Sequence, residues 1–158
     1  MGRRRAPLAA LLVACLGCGP PGISPLDAEP DAPLAALPPC GDLPAGSGKE
    51  VLGAELPEEA IVEDVTEEPP LITVTGYAPR TPVQIRRDYA ERDDLEVFFI
   101  EDEIYESEAM VGNGTHRTYV KATAVCDRGS RLLMVVAPEL DAAGLPVPAT
   151  ASPGQPSP

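Results

Sequence analysis

The chain has 158 residues, which is room for one modest domain. Its 20 Pro and 14 Gly concentrate towards the ends, and four Tyr, two Phe and no Trp exclude a large core along the full length. The formal charge of −13 (12 Lys+Arg against 25 Asp+Glu) excludes an electrostatic surface for nucleic acid or anionic lipid headgroups, and it favours solubility.

Arg3, Arg4 and Arg5 form a positive start, and Leu8 to Val13 is apolar. Small residues follow, which is the order of a secretory signal. The apolar run is too short to span a bilayer, which takes about 20 residues. Pro7 before it and Gly19-Pro20-Pro21-Gly22 behind it disfavour a structural helix. Ala6-Pro7 after the arginines points to general secretion rather than a twin-arginine route.

Leu12-Val13-Ala14-Cys15 resembles the end of a bacterial lipoprotein signal. In that family a small residue precedes the cysteine and an aliphatic residue stands three before it. The thiol is lipidated, and cleavage leaves that cysteine at the new N-terminus. Cys15-Leu16-Gly17-Cys18 fits less closely, because Cys15 then occupies the aliphatic position. Cutting before Cys15 leaves three further cysteines, whereas cutting before Cys18 leaves the even pair Cys40 and Cys126. The expectation is a signal over 1–14 with Cys15 as lipid anchor, the alternative being 1–17 with Cys18. The resemblance covers the first ~20 residues, a common signal length. It implies export and anchoring in the cell envelope. With no Asp after either cysteine, it implies the outer membrane, facing the periplasm. Cys15-x-x-Cys18 as a thioredoxin or zinc pair lacks a folded context and a second ligand pair.

From residue 15 to 48 the chain is rich in Pro, Ala and Gly and reads as a tether. An acidic segment spans 49–70, with eight acids between Glu50 and Glu68. Mutual repulsion keeps it solvated, although Val51, Leu52, Ile61, Val62 and Val65 suit one short strand laid on the domain. The fixed carboxylate offsets of a calcium loop are absent.

Leu71 to Tyr77 is β-branched and bounded by prolines, which predicts a strand. Thr81-Pro82-Val83-Gln84 predicts a helix start with a capping box. That helix carries Ile85 and Tyr89 on one face, turns Arg86, Arg87 and Arg92 mainly to solvent, and stops near Asp93-Asp94. Leu95 to Ile100 and Ile104 to Val111 predict two strands. Gly112-Asn113-Gly114 predicts a tight turn, and Thr115 to Cys126 the returning strand. Arg128-Gly129-Ser130 turns again, and Arg131 to Ala137 closes the sheet. The fold class is therefore α+β over 71–138, with one helix packed on a small antiparallel sheet in the order strand, helix, four-strand meander. A disordered tail is expected over 139–158.

Chemistry is sparse in this chain. His116 is the lone histidine, and the nearest serines, Ser107 and Ser130, lie in no nucleophile-elbow sequence. An exposed turn histidine is the plainer reading. Glu101, Asp102 and Glu103, with Glu106 and Glu108, could supply paired carboxylates, as glycosidases use. A solvated or charged edge explains the same residues. Asn113-Gly114-Thr115 matches a glycosylation sequon but reads as a turn. No catalytic, cofactor-binding or metal-ligating set stands out. In an exported chain the even pair Cys40 and Cys126 is expected to form a disulfide, against a free buried Cys126 with Cys40 exposed.

The expected function is that of an exported, lipid-anchored, non-catalytic binding or envelope-interaction module. Its partners would be the membrane, through the lipid, and an envelope protein, with no nucleic acid. The alternatives are a small exported hydrolase using the Glu101–Glu108 carboxylates or His116, and a secreted inhibitor or subunit presenting the Ile104–Cys126 hairpin.

Overall fold

The computed structural model describes residues 33–146. The expected signal and lipid anchor, with Cys15 and Cys18, lie outside the described residues. No helix among the described residues is long and apolar enough to cross a membrane.

The expected strands and helix form where their local chemistry predicts. Strand β1 spans Ile61–Glu68 and β2 Leu71–Ala78, helix α1 spans Pro82–Glu91, and β3 spans Glu96–Asp102. Strands β4 (Glu106–Gly112), β5 (His116–Cys126) and β6 (Gly129–Pro138) complete one antiparallel sheet in the order β1-β2-β6-β5-β4-β3. Helix α1 begins on the expected capping box: the Gln84 amide donates to Thr81 Oγ1 at 3.3 Å, and the Thr81 amide donates to Gln84 Oε1 at 2.9 Å. Ile85 and Tyr89 then turn into the core, each 1 % exposed. Burying Ile85 alone contributes about 1.5–3 kcal/mol.

The layout departs from a plain strand-helix-meander in one respect. The second half of the acidic segment is a full eight-residue edge strand, β1, so the sheet has six strands. Alternation explains it: Val62 pairs with Gly76 and Val65 with Val74, while Asp64, Thr66 and Glu68 take the opposite face. A bulge between Val62 and Asp64 restores that phase. Gly76 permits the pairing, because a Cβ there would fall on the Ile61 carbonyl oxygen.

One sheet face is closed twice. Helix α1 packs over β3, β4 and β5. Val51, Leu56 and Ala60 of the acidic segment pack against the same core of Val74, Val111, Val120, Leu132 and Met134. Glu55 rivets this cover through all its polar groups. Its amide donates to Thr118 Oγ1 (3.3 Å), and its carbonyl accepts from Tyr89 Oη (2.5 Å). Its two carboxylate oxygens accept from Arg92 (2.7 Å) and Asn113 Nδ2 (2.8 Å).

The two ends are ordered further than composition predicts. The start of the tail expected to be disordered over 139–158 instead makes a short 3-10 helix, Glu139–Gly144, and Leu145 is buried against Tyr119, Val135 and Ala137, while 147–158 lies outside the described residues. This patch covers part of the opposite sheet face. The end of the expected tether also packs: Leu34 is fully buried, and the Asp127 amide donates to the Pro38 carbonyl at 3.1 Å. Single apolar residues in Pro- and Ala-rich stretches found buried sites that only the assembled sheet provides.

Candidate functional site: the open sheet face and the β3 edge

The Asn113-Gly114 turn holds His116 through local bonds. Asn113 Oδ1 accepts from the Thr115 and His116 amides, each at 3.0 Å, and Gly114 takes φ +82°. Thr115 Oγ1 lies 3.1 Å from His116 Nδ1. The imidazole stacks on Gly53, whose φ of +75° and missing side chain leave that space. The histidine is half-buried rather than freely exposed.

His116 is not brought together with either serine. Ser130 pairs with Ala124, eight positions along β5 from His116, which is roughly 26 Å at ordinary strand rise. Its hydroxyl is fully buried and donates to the Arg80 carbonyl at 2.7 Å. Ser107 is buried on the covered face.

Glu106 and Glu108 do share the open face, as their spacing predicts, but both are bound to one ammonium. Lys121 Nζ donates to Glu106 at 2.5 Å and to Glu108 at 3.2 Å. These hydrogen bonds, outweighing desolvation, hold the lysine above its ordinary pKa. Burial, with Glu108 beside it, pushes the Tyr119 phenol up to about 12. A general acid and a nucleophile need carboxylates in unlike environments. Two carboxylates clamped on the same lysine form a cross-strand ion cluster instead. Glu101 stands opposite Glu108 in the register, on the neighbouring strand.

Cys40 and Cys126 lie at disulfide-bonding distance, with Cα atoms 5.0 Å apart. Asp127 sits beside both sulfurs, and its carboxylate accepts from the Cys40 amide at 3.2 Å. Metal binding at Cys126 or Cys40 requires thiolates, which a disulfide does not offer. The trio is a clasp joining the end of the tether to the β5–β6 turn.

Arg80 is a residue that sequence reasoning passed over. It is 3 % exposed, pairs with Asp88, and reaches Glu58 at 2.7 Å. Burial pushes the Asp88 carboxyl upward, and the Arg80 hydrogen bond opposes this. A buried guanidinium held by two acids pins the helix to the acidic segment. Its position just before the Thr81 cap was the only local signal.

Strand β3 and the turn after it carry several partly exposed large apolar residues. Strand β3 lies at one end of the sheet. A bulge between Val97 and Phe99 turns Phe98 out. Its ring lies over Gly112, where a Cβ would sit 2.9 Å away, and Arg117 stacks on it at 3.7 Å from the centroid. Glu139 in turn accepts from Arg117 at 2.5 Å. Val97, Phe98, Ile104 and Tyr105 are 37–49 % exposed. No protein-family model matches this chain, and no curated protein or solved structure is significantly similar to it.

Proposed function

We propose that this protein is an exported lipoprotein, anchored by an acylated Cys15 or Cys18. In this reading it faces the periplasm from the outer membrane as a non-catalytic binding or envelope-interaction module. The observation that carries the reading is the run from Arg3 to Cys15, a positive start, a short apolar stretch and Leu12-Val13-Ala14-Cys15. The Cys40–Cys126 pair at bonding distance supports it, since such bonds persist in oxidising compartments. The clamping of Glu106 and Glu108 on Lys121 favours a surface role for those carboxylates. Detergent phase partitioning of the wild type and a Cys15→Ala/Cys18→Ala double variant tests the anchor. The wild type is expected in the detergent phase and the variant in the aqueous phase. A wild type that stays aqueous removes the anchor from the proposal.

A further inference from the structure

Asn113 is the only asparagine in the chain, and Gly114 follows it. An asparagine side chain can be attacked at Cγ by the backbone nitrogen of the next residue, closing a succinimide ring within the chain. A glycine at that next position removes the side chain that would crowd the attack. Both residues are exposed in the β4–β5 turn, and no atom lies within 4 Å of the place a Cβ would take on Gly114. Water therefore reaches the site.

The turn aims donors at the group that would react. Asn113 Oδ1 accepts from Thr115 Oγ1 at 2.8 Å and from the Thr115 and His116 amides at 3.0 Å each. As a nitrogen adds to Cγ, negative charge grows on that oxygen, and fixed donors at this range stabilise it. The amide nitrogen has its own partner, because Asn113 Nδ2 donates to Glu55 Oε1 at 2.8 Å. Glu55 is the residue that ties the acidic-segment cover to the sheet. The reactive amide is thus one of the ties of that cover.

We propose that Asn113 is a site of self-modification by deamidation, and that its conversion to a carboxylate releases Glu55 and loosens the cover. The Gly114 nitrogen bonds to Cγ, the Cγ–Nδ2 bond breaks, and Nδ2 leaves as ammonia with the proton that the Gly114 nitrogen gives up. Water then opens the ring at Cγ to give aspartate, or at the Asn113 main-chain carbonyl carbon to give isoaspartate. The aspartate still accepts from Thr115 and His116, which holds its second oxygen where Nδ2 stood. A carboxylate then faces the Glu55 carboxylate, and like charges at that range repel. Isoaspartate also lengthens the main chain inside a turn closed by the Asn113 amide on the His116 carbonyl, at 3.2 Å. This goes beyond the reading as an envelope module and does not depend on the lipid anchor.

The test incubates the full mature chain, disulfide intact, in warm and mildly alkaline buffer. Intact mass reads the loss of ammonia and gain of water, peptide mapping places it at Asn113, and isoaspartyl methyltransferase labelling reads the second product. The folded chain is expected to convert at least as fast as the same chain unfolded in guanidinium chloride. Thr115→Val deletes the hydroxyl donor and should slow conversion by about threefold to tenfold, whereas Thr115→Ser should keep the wild-type rate. In the folded wild type the Ala54 and Glu55 amides are bonded to the Val51 carbonyl and to Thr118 Oγ1. Asn113→Asp should speed hydrogen exchange at these two amides by about tenfold and leave β2 and β6 unchanged. A folded chain that converts more slowly than the unfolded one overturns the proposal, because the turn would then protect the asparagine. So does a Thr115→Val rate equal to the wild type, or a Thr115→Ser rate no faster than that of Thr115→Val. Unchanged exchange at Ala54 and Glu55 in Asn113→Asp overturns it as well. Detergent partitioning bears on none of these outcomes, so failure of the anchor and failure of this site are separate results.

Discussion

Reduction of the Cys40–Cys126 pair is the perturbation with the largest expected effect on stability. The two residues are 86 positions apart. On the chain-entropy model, a crosslink closing a loop of that length stabilises the fold by about 4–5 kcal/mol, mainly by restricting the unfolded chain. A small domain has a total stability of about 5–15 kcal/mol. The loss is therefore a large share of the whole. It also frees the Pro38–Asp127 and Cys40–Asp127 contacts and exposes the buried Leu34 site to fraying. Equilibrium urea unfolding, with and without a phosphine reductant at pH 7, measures it. Alkylation and mass spectrometry establish the thiol state in each sample. The reduced protein should unfold with a free energy lower by about 4–5 kcal/mol and a midpoint several tens of per cent lower. The urea slope should rise, because the uncrosslinked unfolded chain exposes more surface. A reduced protein within about 1 kcal/mol of the oxidised one would refute the reasoning, and the tether would then be held by packing alone.

Four further outcomes are expected. Thr81→Ala removes one half of the capping box and should cost about 1 kcal/mol in urea unfolding, whereas Thr81→Ser should cost less. Gly129→Ala sets a Cβ 2.6 Å from Cys126 Sγ and closer still to Tyr77 Oη, so thermal unfolding should report a loss of about 1–3 kcal/mol. Lys121→Met leaves Glu106 and Glu108 facing each other without their cation. Urea unfolding at pH 7 should report a loss of up to about 1 kcal/mol, the size expected of a partly exposed ion cluster. In alkali, the unfolded chain releases phenolic protons near pH 10, while Tyr119 holds its own until about 12 and burial holds Tyr89 higher still. The native state then binds more protons than the unfolded one, so stability should fall as pH rises above 10. For the buried Tyr89 the fall is about 1.4 kcal/mol per pH unit, and Tyr89→Phe should flatten that slope.

The local elements of this protein were legible in the chain itself, because each rests on contacts a few residues long. Thr81, Pro82 and Gln84 specify a helix start by bonds within one turn. Asn113 and Gly114 specify the hairpin by an amide side chain and a positive φ. The alternation of Glu106, Glu108 and Met110 with Ser107, Ala109 and Val111 assigns the two faces of β4. Export and the lipid anchor are sequence expectations of the same local kind. What only the tertiary structure decided are the meetings between distant segments. The acidic segment reads as solvated with apolar residues for one short strand, but only β2 offered it a paired edge, and Glu55 found hydrogen-bond partners on helix α1 and its C-cap, in the β4–β5 turn and on β5. Leu34 and Leu145 carry no periodic signal, and their burial depends on surfaces built from strands far along the chain. The same holds for the β3 edge. The residues Glu96 to Asp102 announce a strand, but a strand becomes an open edge only when the sheet order leaves it without a neighbour.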